Sequence, residues 1–318
     1  MKETLIAPFP KEVLLEKKRP RVRSVVGMPK EDALQENRIC LTPGTVEVLC
    51  KHGHEVRVEK GAGEHIHFSD SDYVQAGARI VNQAKEAFEA AIVVKVAPPT
   101  LEEIDLMSSG TVLVSAIQVN HQTKDFFLAL GRKKISAIGF ELLTDEHGEY
   151  PIVRSMSEIA GNNVLAIAAE HLSAIHGGPG ISVGGITGLR PTRLLIIGSG
   201  TVAECAARSA LGIGASVEIL DNNMTHLRRI KYSVGQQIST RMLSPEALKE
   251  ALPEADILIM ALRLASTEQA PIITKDMVKG MKEGAMILEI SIDTEKYVET
   301  SALTSHDRPV FIKHGVIH

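Results

Sequence analysis

No stretch of this sequence stays apolar for long enough to cross a bilayer. Residues 1–23 mix charges with short apolar pieces and lack the apolar core of a signal peptide. A cytoplasmic protein is therefore expected. Cysteine is scarce: Cys40, Cys50 and Cys205 are scattered, with no CxxC and no metal-ligand spacing. No metal is expected, and the thiols read as reduced and mostly buried. Excess charge is also missing. With 35 Lys and Arg against 39 Asp and Glu, the net charge of -4 leaves no footprint for nucleic acid or an anionic membrane. The one basic cluster, Lys17, Lys18, Arg19, Arg21 and Arg23, lies in a segment broken by Pro8, Pro10 and Pro20, and reads as an extended arm. No internal repeat is visible.

What is present is an ordinary globular composition, 44% hydrophobic and 23% charged, in 318 residues. That length suits two domains, each with its own core. Strand and helix patterns alternate from residue 24 to residue 140. Residues 24–28, 54–59, 92–96, 111–117 and 134–140 read as strands. Thr42 stands before Pro43 as a helix cap should, and residues 85–91 and 123–130 read as helices. Such alternation predicts a parallel sheet. Residues 156–174 hold good helix formers and no proline, with Ser157 placed to cap the start. They predict a long helix joining two domains, 1–155 and 156–318, the helix counted with the second.

The strongest chemical signal opens at residue 193. RLLII is an apolar run that suits a buried parallel strand, and it leads straight into Gly198-Ser199-Gly200-Thr201-Val202-Ala203. This is GxGxxA followed by a helical pattern. Gly198 permits the tight turn, Gly200 lets a pyrophosphate approach the backbone, and small Ala203 lets helix pack on strand. The N–H groups at that helix start, from Thr201 and Val202 onward, then face the phosphates. A second strand ends at Asp221, twenty-three positions after Gly198. A carboxylate there accepts from the ribose hydroxyls and repels a 2′-phosphate, so NAD is favoured over NADP. Residues 255–262 and 285–290 add core strands, and Asp293 follows the last of them, at the sheet edge where ligands of such folds bind.

Over nearly its whole length the chain resembles the alanine dehydrogenase and nicotinamide nucleotide transhydrogenase alpha-subunit family. The resemblance is carried by GMPKEDALQENRICLTPGTVEVLCKHGHEVRVEKGAG at 27–63, VVKV at 93–96 and SMSEIAG at 155–161. GSGTVAECAARSALGIGASVEILD at 198–221, SID at 291–293, ETS at 299–301 and KHGVIH at 313–318 complete it. It implies two Rossmann-like, doubly wound parallel-sheet domains joined by a long helix with a cleft between them. It implies reversible deamination of L-alanine to pyruvate and ammonium with NAD as hydride carrier, and a homo-oligomer, often a hexamer. It implies that Arg38 grips the substrate carboxylate and Lys95 reaches the carbonyl oxygen. It also implies that Asp293 faces nicotinamide and substrate, and that Ser157 lies near the cofactor phosphates. Read alone, Arg38 is a surface ion-pair residue and Lys95 a strand-end lysine that snorkels to solvent. Yet a lysine between valines on a buried strand is unusual.

Four departures stand out. The family's catalytic histidine should follow the strand at 111–117, where this chain has Gln118. An amide can hydrogen-bond the substrate but cannot exchange a proton near neutral pH. His121, three positions on, is the alternative donor. After Asp293 a family Gly-Gly pair gives way to Thr294-Glu295-Lys296-Tyr297, and residues 263–269 replace a glycine-containing turn. Family members also continue past KHGVIH with an Asn-containing loop beside the nicotinamide. Two other functions therefore stay open: a transhydrogenase-like NAD(H)-binding subunit, and an NAD(H)-binding regulator with little or no catalysis.

Overall fold

The computed structural model describes residues 23–31, 36–235, 238–262, 272–290, 292 and 296–318. The basic arm expected before residue 23, apart from Arg23 itself, lies outside the described residues, as do Asp293 and the altered loop at 263–269. Contacts divide the chain into two compact units, Met1–Phe140 and Glu141–His318.

The first unit runs β1 (Val25–Met28), α1 (Pro43–Lys51), β2 (Glu55–Glu59), α2 (Asp70–Gln75), β3 (Arg79–Val81) and α3 (Ala84–Phe88). It continues with β4 (Ile92–Val94), α4 (Leu101–Leu106), β5 (Val112–Ser115), α5 (Lys124–Arg132) and β6 (Ser136–Gly139). All neighbours pair in parallel in the order β3-β2-β1-β4-β5-β6. This is the doubly wound arrangement that the alternation of strand and helix predicts, with order reversing at β1 and β4. Val26, Val56 and Val58 face a core with Val46 and Tyr73. Val93 and Leu113 face another with Phe88, Ile104 and Phe126. Helix starts follow local chemistry. Thr42 and Thr123 accept from the backbone N–H groups of Thr45 and Phe126. Ser69 with Asp72 and Thr100 with Glu103 form reciprocal capping boxes.

The second unit opens with α6 (Pro151–Leu172), then β7 (Arg193–Ile197), α7 (Thr201–Gly212), β8 (Ser216–Asp221), α8 (Met224–Val234) and β9 (Ser239–Met242). It ends with α9 (Pro245–Ala251), β10 (Ile257–Met260), α10 (Lys275–Lys279), β11 (Met286–Glu289), β12 (Ile312–Lys313) and β13 (Val316–Ile317). The sheet order is β12-β13-β11-β10-β7-β8-β9, parallel except for the β12–β13 pair. Central β7 is apolar on both faces, with Leu194 and Ile196 in one core and Leu195 and Ile197 in the other.

The long helix starts earlier than residue 156. Pro151 fits the first helical position, where its missing N–H is not needed. Ser157 therefore sits inside α6 and is not its cap, which corrects the sequence expectation. The helix packs against α7 through Gly161. A Cβ there would lie 2.5 Å from the carbonyl oxygen of Val202 and 2.7 Å from Cβ of Cys205. No described helix is long and apolar enough to cross a membrane.

That contact makes Gly161 and Gly131 behave oppositely. In a helix interior Gly→Ala ordinarily stabilises by about 1 kcal/mol. Gly131→Ala in α5, where nothing lies within 4 Å of the new Cβ, should follow that rule. Gly161→Ala should instead destabilise by about 1–3 kcal/mol through overpacking. Denaturant unfolding of the two variants checks this. Equal stabilisation by both would show that α6 and α7 are not packed this closely.

Candidate active site

In the second unit, β7 ends in the glycine turn. Gly198 has φ +103, and a Cβ there would stand 2.5 Å from the Ala261 carbonyl oxygen, so a side chain is excluded twice over. Its N–H donates to the Leu220 carbonyl at 2.7 Å, which ties the turn to β8. Gly200 is different: among the described residues nothing lies within 4 Å of where its Cβ would be. It caps α7 without a side-chain hydrogen bond. The N–H groups from Thr201 and Val202 onward thus meet no side-chain cap, and the space before them is open. That is what a pyrophosphate needs. Ala203 is fully buried against the sheet. Asp221, at the end of β8, is 4% exposed. Its Oδ2 accepts from Ser199 Oγ at 2.7 Å and its Oδ1 from the Asn223 N–H at 2.8 Å. These residues fit a dinucleotide with free ribose hydroxyls. Ser157 lies half-buried on α6.

In the first unit the charged residues gather just past β4. Lys95 is 2% exposed. Its Nζ donates to both carboxylate oxygens of Glu103, each at 2.8 Å, and Glu31 Oε2 lies 3.9 Å away. The Phe88 ring centroid is 5.9 Å from Nζ. So Lys95 does not snorkel to solvent but is buried in the core on two carboxylates. Glu31 accepts from the N–H groups of Val96 at 2.5 Å and Ala97 at 3.3 Å. Burial raises its carboxyl above the usual range, with Val96, Lys95 and Ala97 acting against that. Glu103 also accepts from the Thr100 N–H at 2.7 Å, so one carboxylate both starts α4 and anchors the lysine.

Arg38 is held side-on by Glu36, with Nε and Nη2 donating at 2.8 and 2.6 Å. The pair lowers the Glu36 carboxyl and raises the guanidinium. Arg38 also feels Glu31, and the Cys40 thiol feels Glu31, Arg38, Glu36 and Lys95. Burial pushes that thiol up to about 12, so Cys40 stays protonated. The structure thus brings Arg38 and Lys95 into one charged cluster around Glu31.

Gln118 lies after β5, exposed, with φ +49 and ψ +56. Its carbonyl accepts from the His121 N–H at 2.8 Å, so both residues share one tight turn. His121 is exposed too. Of the departures after Asp293, Tyr297 is described: it is 1% exposed and fills the core beside Ile273 and Val298. Sequence reasoning did not find Glu31, Glu103, Ser115 or Ser199. Register sets Ser115 beside Lys95 on the same face, since Val94 pairs with Val114 and Lys95 N–H donates to the Val114 carbonyl. The Ser115 hydroxyl is fully buried and has no hydrogen-bond partner among the described residues.

The chain matches known proteins over most of its length. The model described as "Alanine dehydrogenase/PNT, N-terminal domain" matches residues 27–160, and "Alanine dehydrogenase/PNT, C-terminal domain" matches 164–318. The chain belongs to the alanine dehydrogenase/PNT family. Alanine dehydrogenase of Bacillus subtilis is 38% identical over 295 residues, 92% of this chain and 78% of that protein. Alanine dehydrogenase of Methanococcus maripaludis is 35% identical, over 92% of this chain and 79% of its own length. A solved L-alanine dehydrogenase superposes with a TM-score of 0.86 at 33% identity, covering 92% of this chain and 81% of that one. A transhydrogenase from Sinorhizobium meliloti shares the fold, with a TM-score of 0.78 at 21% identity over 92% and 85% of the two chains.

A charge buried this deeply is costly unless its partners stay in place. Lys95→Met and Glu103→Gln should each destabilise the protein, by about 3–5 kcal/mol, because each leaves a buried charge short of a partner. The double variant should be more stable than either single one. Chemical denaturation of the three proteins measures this. Additive losses would mean that Lys95 and Glu103 are not coupled as described.

Proposed function

We propose that this chain is an NAD-dependent alanine dehydrogenase, interconverting L-alanine with pyruvate and ammonium. The observation that carries the reading is Lys95, an amine buried in the core on the carboxylates of Glu103 and Glu31. The alanine dehydrogenases that match 92% of the chain support it.

Each residue has a role. Arg38 pairs with the substrate carboxylate, Glu36 holding its guanidinium plane. Lys95 donates a hydrogen bond to the carbonyl oxygen of pyruvate and draws electron density from the carbon under attack. With two of its protons on Glu103, its third is the one directed to substrate. NAD, when bound, takes or supplies the hydride. Gly198, Gly200, Thr201 and Val202 cradle its pyrophosphate, Asp221 accepts from its ribose, and Ser157 lies toward the phosphates. Asp293, as in the family pattern, faces nicotinamide and substrate. Gln118 stands where the family has its histidine and can orient the substrate oxygen without exchanging a proton. The three free cysteines suit the cytoplasm, which this reading assigns, together with a homo-oligomeric assembly, a hexamer by family precedent. Gln118 also favours a second reading, an NAD(H)-binding protein with little turnover.

Gln118 offers the test. General acid–base help is worth about a hundred- to ten-thousand-fold. The natural full-length protein should therefore oxidise NADH slowly with pyruvate and ammonium. Gln118→His should raise the rate at least about tenfold, a small part of that range. Histidine tolerates the left-handed backbone at this position. Initial rates across pH decide the matter. Fast natural turnover with no gain in Gln118→His would show that the proton route lies elsewhere. Intact NADH binding with no turnover in either form would overturn the dehydrogenase reading.

A further inference from the structure

The residue between the two glycines of a dinucleotide turn is usually treated as a spacer. Here it is Ser199, 2% exposed, and its hydroxyl donates to Asp221 Oδ2 at 2.7 Å. On the other side the Asn223 N–H donates to Oδ1 at 2.8 Å. One donor on each oxygen fixes the carboxylate plane. An ionised carboxylate offers about four acceptor positions, so two remain for a ligand diol. The turn is tied further by Arg229 of α8, whose Nη2 donates to the Ser199 carbonyl at 2.9 Å. His226, exposed at the start of the same helix, has Nδ1 4.0 Å from Asp221 Oδ1.

We infer that Ser199 is a positioning residue that holds Asp221 against the cofactor ribose, and so sets the preference for a free 2′-hydroxyl over a 2′-phosphate. This rests on the proposed role of Asp221. His226 borders the carboxylate, Arg229 is tied to the same turn through the Ser199 carbonyl, and either side chain would welcome a phosphate. What opposes a phosphate is the fixed negative charge of Asp221. A carboxylate released from Ser199 can turn toward His226. It then no longer presents its free lone pairs to the ribose, nor its charge to a 2′-phosphate.

The test is a fluorescence titration of NADH and of NADPH into the parent, Ser199→Ala, Asp221→Asn and the double variant. In Ser199→Ala the NADH Kd should rise about three- to tenfold, the net scale of one ordinary hydrogen bond. The NADPH Kd should stay level or fall, compressing the ratio of the two. In the Asp221→Asn background, Ser199→Ala should change the ratio no further. An unchanged ratio in Ser199→Ala would overturn the inference, and so would equal weakening of both nucleotides, which marks a merely structural loop residue. If Asp221→Asn compresses the ratio and Ser199→Ala does not, the inference falls while the role of Asp221 stands. If neither does, both fall.

Discussion

An ammonium in a hydrophobic core organises the first unit. Lys95 follows β4 on the face that carries Val93, next to Phe88, Ile104 and Leu113. Left alone there, the charge would cost several kcal/mol. Its compensation reaches across the chain. Glu103 comes from the first turn of α4 and Glu31 from the loop after β1. Each carboxylate also binds backbone N–H groups, at Thr100 and at Val96 and Ala97. The lysine, the start of α4 and the chain leaving β4 are therefore one electrostatic unit. Arg38 enters it through Glu31, and the Cys40 thiol is kept protonated beside it.

The second unit solves a different problem with the same order of its first five strands. Its central strands are apolar on both faces, and polar groups collect where β7 and β8 end. There, in the proposed reading, the backbone itself is the binding group. Gly198 is closed in and Gly200 is open, two glycines with opposite surroundings serving one turn. Asp221 is the fixed charge of that site, as Lys95 is of the other. In both cases a neighbouring residue holds the charged group still.

Much of this was legible in the sequence, for identifiable reasons. Buried strands such as RLLII announce themselves by composition, and caps such as Thr42 and Thr123 by their place before a periodic run. The GxGxxA turn is legible because each glycine answers a steric demand. Short strands carried no such signal: β3 has three residues, β9 reads STRM, and β12 and β13 have two residues each. Ser157 looks like a cap, but α6 begins at Pro151, whose place at the first helical position is the better sequence signal. Lys95 could be singled out as anomalous, but not what compensates it. Glu103 reads as half of a capping box, and only the fold turns its carboxylate to a lysine eight positions back. Ser199 and Asp221 are likewise joined by strand pairing, which spacing alone does not reveal.

If Lys95 meets substrate and the glycine turn meets cofactor, the two activities must separate in one protein. Lys95→Met combined with Glu103→Gln removes the buried charge together with its main partner, so the fold is spared the unpaired ion. This double variant should bind NADH with the parental Kd by fluorescence titration. It should lose pyruvate reduction by at least about a hundredfold, the lower end of what one preorganised hydrogen-bond donor contributes. Parental turnover in the double variant would contradict the account, because the substrate oxygen would then be polarised by something other than Lys95.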